Sequence, residues 1–165
     1  MTSSTNSRLA GAAFILYIAV GIGSMLAPSQ VRPVLGTVMA FCALTLGVTL
    51  YALTRHVDRD MALLAMLCRV LEAASSRSEI SFTLGSALFC WLLLKGRMIP
   101  ARLAGLGFAA SIALAVLLLA QQAGGTSTDW SSPVTWAIWL PLLVFELGFA
   151  AMLLADRLRL PRTTA

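Results

Sequence analysis

The sequence predicts an all-α fold: a polytopic six-helix transmembrane bundle with both termini cytoplasmic. Three observations predict it. First, six apolar segments recur along a 165-residue chain that is 59% hydrophobic and 12% charged, whereas a water-soluble domain is roughly 45–50% apolar and ~25% charged. Second, Lys and Arg gather beside alternate segment ends, as the positive-inside rule requires. Third, Arg69, Glu72 and Glu146 are sunk in otherwise apolar segments. A charge in hydrocarbon costs at least ~2.5 kcal/mol, so it must face the bundle interior.

The segments run 9–27, 34–53, 61–75, 80–94, 103–121 and 135–154. The first, second, fifth and sixth approach the ~20 residues that cross a ~30 Å hydrocarbon core. No Gly/Ser-rich linker divides them, so residues 1–165 read as one integral membrane domain. The first segment follows Arg8 and has small residues near Ser24 and Ala27, which resembles a signal peptide. Its apolar run exceeds the roughly 7–15 residues of such a peptide's core, and more spans follow, so an uncleaved helix is expected.

Residues 54–60 cap two helices, with Asp58 or Asp60 placed to cap the third. His56, beside Arg55, reads as a solvated loop residue. The third and fourth segments are short, and Ser75-Ser76-Arg77-Ser78-Glu79 joins them. Either these helices run on through the polar residues to a tight turn, or the outer side of the bundle holds a wet notch. Polar backbone at that depth requires protein or water to satisfy it.

Pro100 stands just ahead of the fifth helix and Pro133 just ahead of the sixth. On the fifth, Ala101, Gly105, Ala109 and Ala113 recur at every fourth position. Such a stripe permits close backbone approach; internal packing is the simpler expectation and a dimer face the alternative. Arg8-Leu9-Ala10-Gly11 is echoed by Arg102-Leu103-Ala104-Gly105, an echo too short to imply a duplication. Pro141 lies inside the sixth helix, five residues before Glu146. It removes one backbone donor and frees the carbonyl of Ala137. It reads either as a hinge beside a cavity or, more simply, as a tolerated membrane proline.

With the N-terminus inside, the cytoplasmic side carries Arg8, Arg55, Arg59, Lys95, Arg97, Arg102, Arg157, Arg159 and Arg162, and the outer side only Arg32 and Arg77. The net charge of +5 is therefore a matter of orientation and not a sign of nucleic-acid binding. Trp130, Trp136 and Trp139 cluster at the outer edge, as in an interfacial aromatic belt or simply in a packed helix. Cys42, Cys68 and Cys90 are odd in number, lie in apolar segments and form no CxxC. Neither a disulfide framework nor a zinc site is indicated.

Arg69 and Glu72 are three apart on the third helix and share a face. Ala62, Ala65, Ala73 and Ser76 fall on or near that face, opposite Leu63, Leu67, Val70 and Leu71. The first face packs on helices and the second meets lipid. A ~1.5 Å rise per residue puts Arg69 and Glu146 each ~12 Å from the inner end, and Glu72 ~16 Å deep. An Arg69–Glu146 contact is then geometrically allowed, with Glu72 adjacent. One Arg and two Glu leave a surplus negative charge. A proton on one carboxyl, a water-filled pocket or a bound cation would each offset it.

Arg8-Leu9-Ala10-Gly11, Tyr51-Ala52-Leu53, His56-Val57-Asp58-Arg59-Asp60, Ala62-Leu63-Leu64-Ala65 and Arg69-Val70-Leu71-Glu72-Ala73 resemble a bacterial multi-pass membrane family, domain of unknown function 4386. Leu84-Gly85, Leu94-Lys95-Gly96 and Ile99-Pro100-Ala101-Arg102 resemble its second half. The connection between the third and fourth helices is shorter than that family's pattern, so an outer feature is missing here. The resemblance implies the bacterial inner membrane. It brings no activity, cofactor or catalytic residue.

Three functions are then open. Arg69, Glu72 and Glu146 form a buried site that binds or passes a small solute, ion or proton, which predicts a water-reachable cavity. Alternatively, the chain is a structural or accessory subunit whose ion pairs only fix helix packing, which predicts a dry, fully paired cluster and a conspicuous small-residue outer face. The third is an intramembrane enzyme acting on lipid, although no nucleophile stands beside a base. The expected partners are the bilayer and either a second copy or another membrane protein. No metal, cofactor or catalytic residue is expected.

Overall fold

The computed structural model describes residues 3–75, 78–124 and 133–158. These form six helices: α1 Ser3–Leu26, α2 Arg32–Thr54, α3 Arg59–Ala74, α4 Ser78–Lys95, α5 Ala101–Gln122 and α6 Pro133–Leu154. No strand occurs among the described residues. Each helix packs on its neighbours in the chain and α6 returns to α1, which closes a ring; α2 also touches α4.

Four helices, α1, α2, α5 and α6, are long and apolar enough to cross a membrane. Only 22–33% of their most apolar stretch lies inside the protein, so most of it faces outward. Leu26, Val34, Phe41, Val48 and Val116 are exposed, while Arg69, Glu72 and Glu146 are buried. Water would impose the opposite distribution, and the four long apolar helices indicate a membrane protein. α3 and α4 have 16 and 18 residues, or roughly 24 and 27 Å.

Local signals place the ends. The Asp58 side chain accepts the Met61 N–H at 3.2 Å and caps α3, so the first of the two candidate caps is the one used. Asp58 also accepts from Lys95 Nζ at 3.0 Å, which ties the α2–α3 loop to the end of α4. The Met61 amide and then the Lys95 ammonium hold this carboxyl below the usual carboxylate range. His56 is exposed in that loop, as expected. Pro100 precedes α5 as its cap residue, and Pro133 is the first residue of α6. α4 takes in Ser78 and Glu79, whereas α3 stops at Ala74 with Ser75 extended. The polar joint is therefore helical on one side only.

Ser7 Oγ donates to the Leu153 carbonyl at 2.8 Å, so the start of α1 and the end of α6 lie at the same end of the ring. Arg8, Arg55, Arg59, Lys95, Arg97, Arg102 and Arg157 stand at that end and Arg32 at the other. Ser76, Arg77, Trp130, Arg159 and Arg162 lie outside the described residues.

The stripe on α5 corrects one expectation. Ala101, Ala109 and Ala113 are exposed, and a Cβ added at Gly105 would meet nothing within 4 Å. α5 instead buries Ala104, Gly107, Ser111 and Leu114. The close approach is at Gly107, where a Cβ would stand 2.6 Å from the Phe145 ring and 2.8 Å from Cys90 Sγ. The bulk of Phe145, not the regularity of the alanines, selects which face of α5 turns inward.

Candidate functional site

Helical periodicity builds the site. α3 turns Ala62, Ala65, Arg69 and Glu72 inward and Leu63, Leu64, Leu67, Val70 and Leu71 outward. Arg69 fits because α2 offers no side chain at Gly47, where a Cβ would lie 3.0 Å from that of Arg69. Gly85 of α4 lets α3 approach in the same way, with an added Cβ 3.0 Å from that of Cys68.

Arg69 is 1% exposed, yet it is bonded on several sides. Its Nη1 donates to Glu72 Oε2 at 2.8 Å and its Nη2 to Ser86 Oγ at 3.0 Å. Its guanidinium carbon lies 4.9 Å from the centre of the Phe82 ring, within cation–π range. The Tyr17 hydroxyl donates to Glu72 Oε1 at 2.6 Å, so both Glu72 oxygens are used. One guanidinium nitrogen, Nε, is buried without a partner.

Glu146 is different. It is 6% exposed, and its Oε1 is buried with no hydrogen-bond partner. It lies within the electrostatic reach of Arg69 and Glu72 but is bonded to neither. The Arg69–Glu146 contact that their equal depth allows is not formed. Glu72, one turn along the same helix, takes the guanidinium instead. Equal depth fixes a level along the bundle, but contact also needs the right rotation about each helix axis.

A half-open cavity of about 360 Å³ adjoins Glu146. Its lining comes from α1, α2, α4 and α6. Glu146, Leu142, Tyr17 and Phe82 form the deep part, and Met25, Met39, Glu79 and Trp136 stand nearer the end away from the termini. Tyr17, Phe82 and Trp139 are stacked in series, with centroids 6.1 and 6.3 Å apart and planes within 10° and 16°. Arg69 and Glu72 do not line the cavity, but Tyr17 touches both Glu72 and the cavity. Pro141 sits within the run of α6 that lines it.

The three charges named from the sequence are thus neighbours with unequal roles. Sequence reading missed Tyr17, Phe82, Ser86 and Trp139. Depth could have found two of them. Tyr17 is nine residues from Arg8 and Ser86 nine from Lys95, or ~13.5 Å from the inner end, the level of Arg69. A Tyr at mid-membrane needs a partner for its hydroxyl. Among the described residues no group of three His, Cys, Asp or Glu side chains could hold a metal ion. The chain matches no protein-family profile, no curated protein and no solved structure.

Proposed function

We propose that this chain is a six-span integral protein of the bacterial inner membrane, with both termini cytoplasmic, and that Glu146 is a site that binds or passes a small solute, ion or proton. The single observation that carries the reading is a carboxyl buried among apolar helices, with its Oε1 unpartnered, at the deep end of a cavity. An isolated ionisable group in the membrane interior is costly, and such groups mark substrate and ion pathways. The short α3–α4 hairpin supports a wet notch at the outer face, where the cavity lies. The seven basic residues at the terminal end support the orientation. The resemblance to domain of unknown function 4386 supports the bacterial inner membrane, and it rests on the motifs alone.

The accessory-subunit reading keeps two observations, a bonded network and the outward small-residue stripe on α5. Arg69, Glu72, Tyr17 and Ser86 form a bonded network buried between α1, α3 and α4, which suits a device that fixes helix register. We assign that network to structure and Glu146 to function. The exposed α5 stripe offers a face to a second copy or another membrane protein.

Dicyclohexylcarbodiimide, a lipophilic reagent that adds to carboxylic acids, separates the two. Mass spectrometry of the modified full chain is expected to find the adduct on Glu146 and none on Glu72. An unmodified Glu146, or equal modification of both, would overturn the assignment.

A further inference from the structure

The charge and shape of the cavity name a ligand class. We propose that it receives a lipophilic organic monocation, a quaternary or protonated amine carrying an aromatic or branched apolar group. This rests on reading Glu146 as a site and goes beyond it.

Arg69 is neutralised by Glu72 at 2.8 Å, which leaves Glu146, with its Oε1 unpartnered, as the acidic group outside the pair. A second carboxylate, Glu79, stands on the same cavity, and no Lys or Arg among the described residues lines it. An anion would meet two like charges there. The walls decide between kinds of cation. They are chiefly carbon, with Tyr17, Phe82, Trp136 and Trp139 among them. A hard metal cation wants about six oxygen ligands, and this lining does not supply them. Aromatic faces suit a cation whose charge is spread over methyl or methylene groups, as in quaternary ammonium recognition. Size agrees. About 360 Å³ falls at the small end of ligand pockets, which run ~300–1,000 Å³, and suits one benzyl-sized ammonium ion.

Benzyltrimethylammonium tests this, with neopentylbenzene as its neutral isostere. Labelled benzyltrimethylammonium is dialysed to equilibrium against the detergent-solubilised full chain. Saturable binding is expected, undisturbed by excess neopentylbenzene. Affinity should fall about thirtyfold or more in Glu146→Gln, the loss typical of removing one partner of a buried charge pair, and be retained in large part in Glu146→Asp. Should Glu146→Gln fail to fold, the comparison of cation with isostere on the unaltered chain still decides. Displacement by neopentylbenzene as effective as by unlabelled cation would overturn the proposal and make the cavity a slot for an acyl chain. Unchanged affinity in Glu146→Gln would overturn it too. Absence of saturable binding, with the carbodiimide still adding to Glu146, would refute the ligand class and leave the site standing. Absence of both would remove both.

Discussion

Arg69→Met gives the sharpest account of what holds this bundle together. The change keeps an unbranched side chain in the slot beside Gly47 but removes a 2.8 Å bond to Glu72, a 3.0 Å bond to Ser86 and the contact with Phe82. Glu72, 6% exposed, keeps only the Tyr17 hydroxyl. Breaking a buried pair from one side typically costs ~3–5 kcal/mol, because it strands the other charge. Side-chain hydrogen bonds between membrane helices average only ~0.6 kcal/mol, so the stranded carboxylate supplies most of the effect and the lower end, about 3 kcal/mol, is expected. The decisive comparison is the triple variant Arg69→Met, Glu72→Leu, Tyr17→Phe. It removes both members of the pair and the Tyr17 hydroxyl together, and the remaining partner, Ser86, can bond back to a carbonyl of its own helix. Replacing all partners by apolar groups of similar shape is nearly neutral, so its stability should return to within ~1 kcal/mol of the parent. Reversible unfolding of detergent-solubilised protein in sodium dodecyl sulfate, followed by circular dichroism, measures both. A single-variant loss under ~1 kcal/mol, or a triple variant less stable than the single, would refute the stranded-charge argument.

Other consequences follow from packing and from the inner loops. Gly107→Ala drives a methyl to 2.6 Å from the Phe145 ring and should cost ~1–3 kcal/mol by overpacking; Gly105→Ala meets open space and should be neutral or stabilising by up to ~1 kcal/mol. Equal effects in the same unfolding assay would contradict the assigned inner face of α5. Arg97, at φ 51° just beyond α4, holds a left-handed conformation that costs an L-residue ~1–2 kcal/mol. Arg97→Gly should therefore raise the unfolding midpoint slightly, and a lowered midpoint would count against that strain. The Asp58 carboxyl is held below its ordinary range by Met61 and Lys95. Its stabilising share is complete above the ordinary carboxylate range and disappears as pH falls through its lowered folded value. Asp58→Asn should therefore flatten part of the acid-side decline in melting temperature, and unchanged slopes would show that the cap is not formed.

Much of the frame was legible because it follows from periodicity and solvent. Apolar run length placed all six helices, and spacing by three and four put Arg69 and Glu72 on the inward face with the leucines opposite. Rise per residue put Glu146 at their level. What periodicity does not carry is rotation about the axis. Glu146 and Arg69 share a depth but not a bond, and the Ala101–Gly105–Ala109–Ala113 stripe was visible without its direction. Both outcomes depend on side chains of other helices: Glu72 is already one turn away, and Phe145 fits only against Gly107. The cavity was legible only as an alternative, in the shortness of the third and fourth segments. Its aromatic wall was not, because Tyr17, Phe82 and Trp139 stack across three helices.

The division of labour between the two glutamates is best tested by one paired measurement: unfolding free energies of Glu72→Gln and Glu146→Gln in the same detergent. Glu72→Gln should lose about 3 kcal/mol as Arg69 is left without its counter-charge, while Glu146→Gln should stay within ~1 kcal/mol of the parent, because it breaks no bond. Equal losses, or a larger one for Glu146→Gln, would contradict the account.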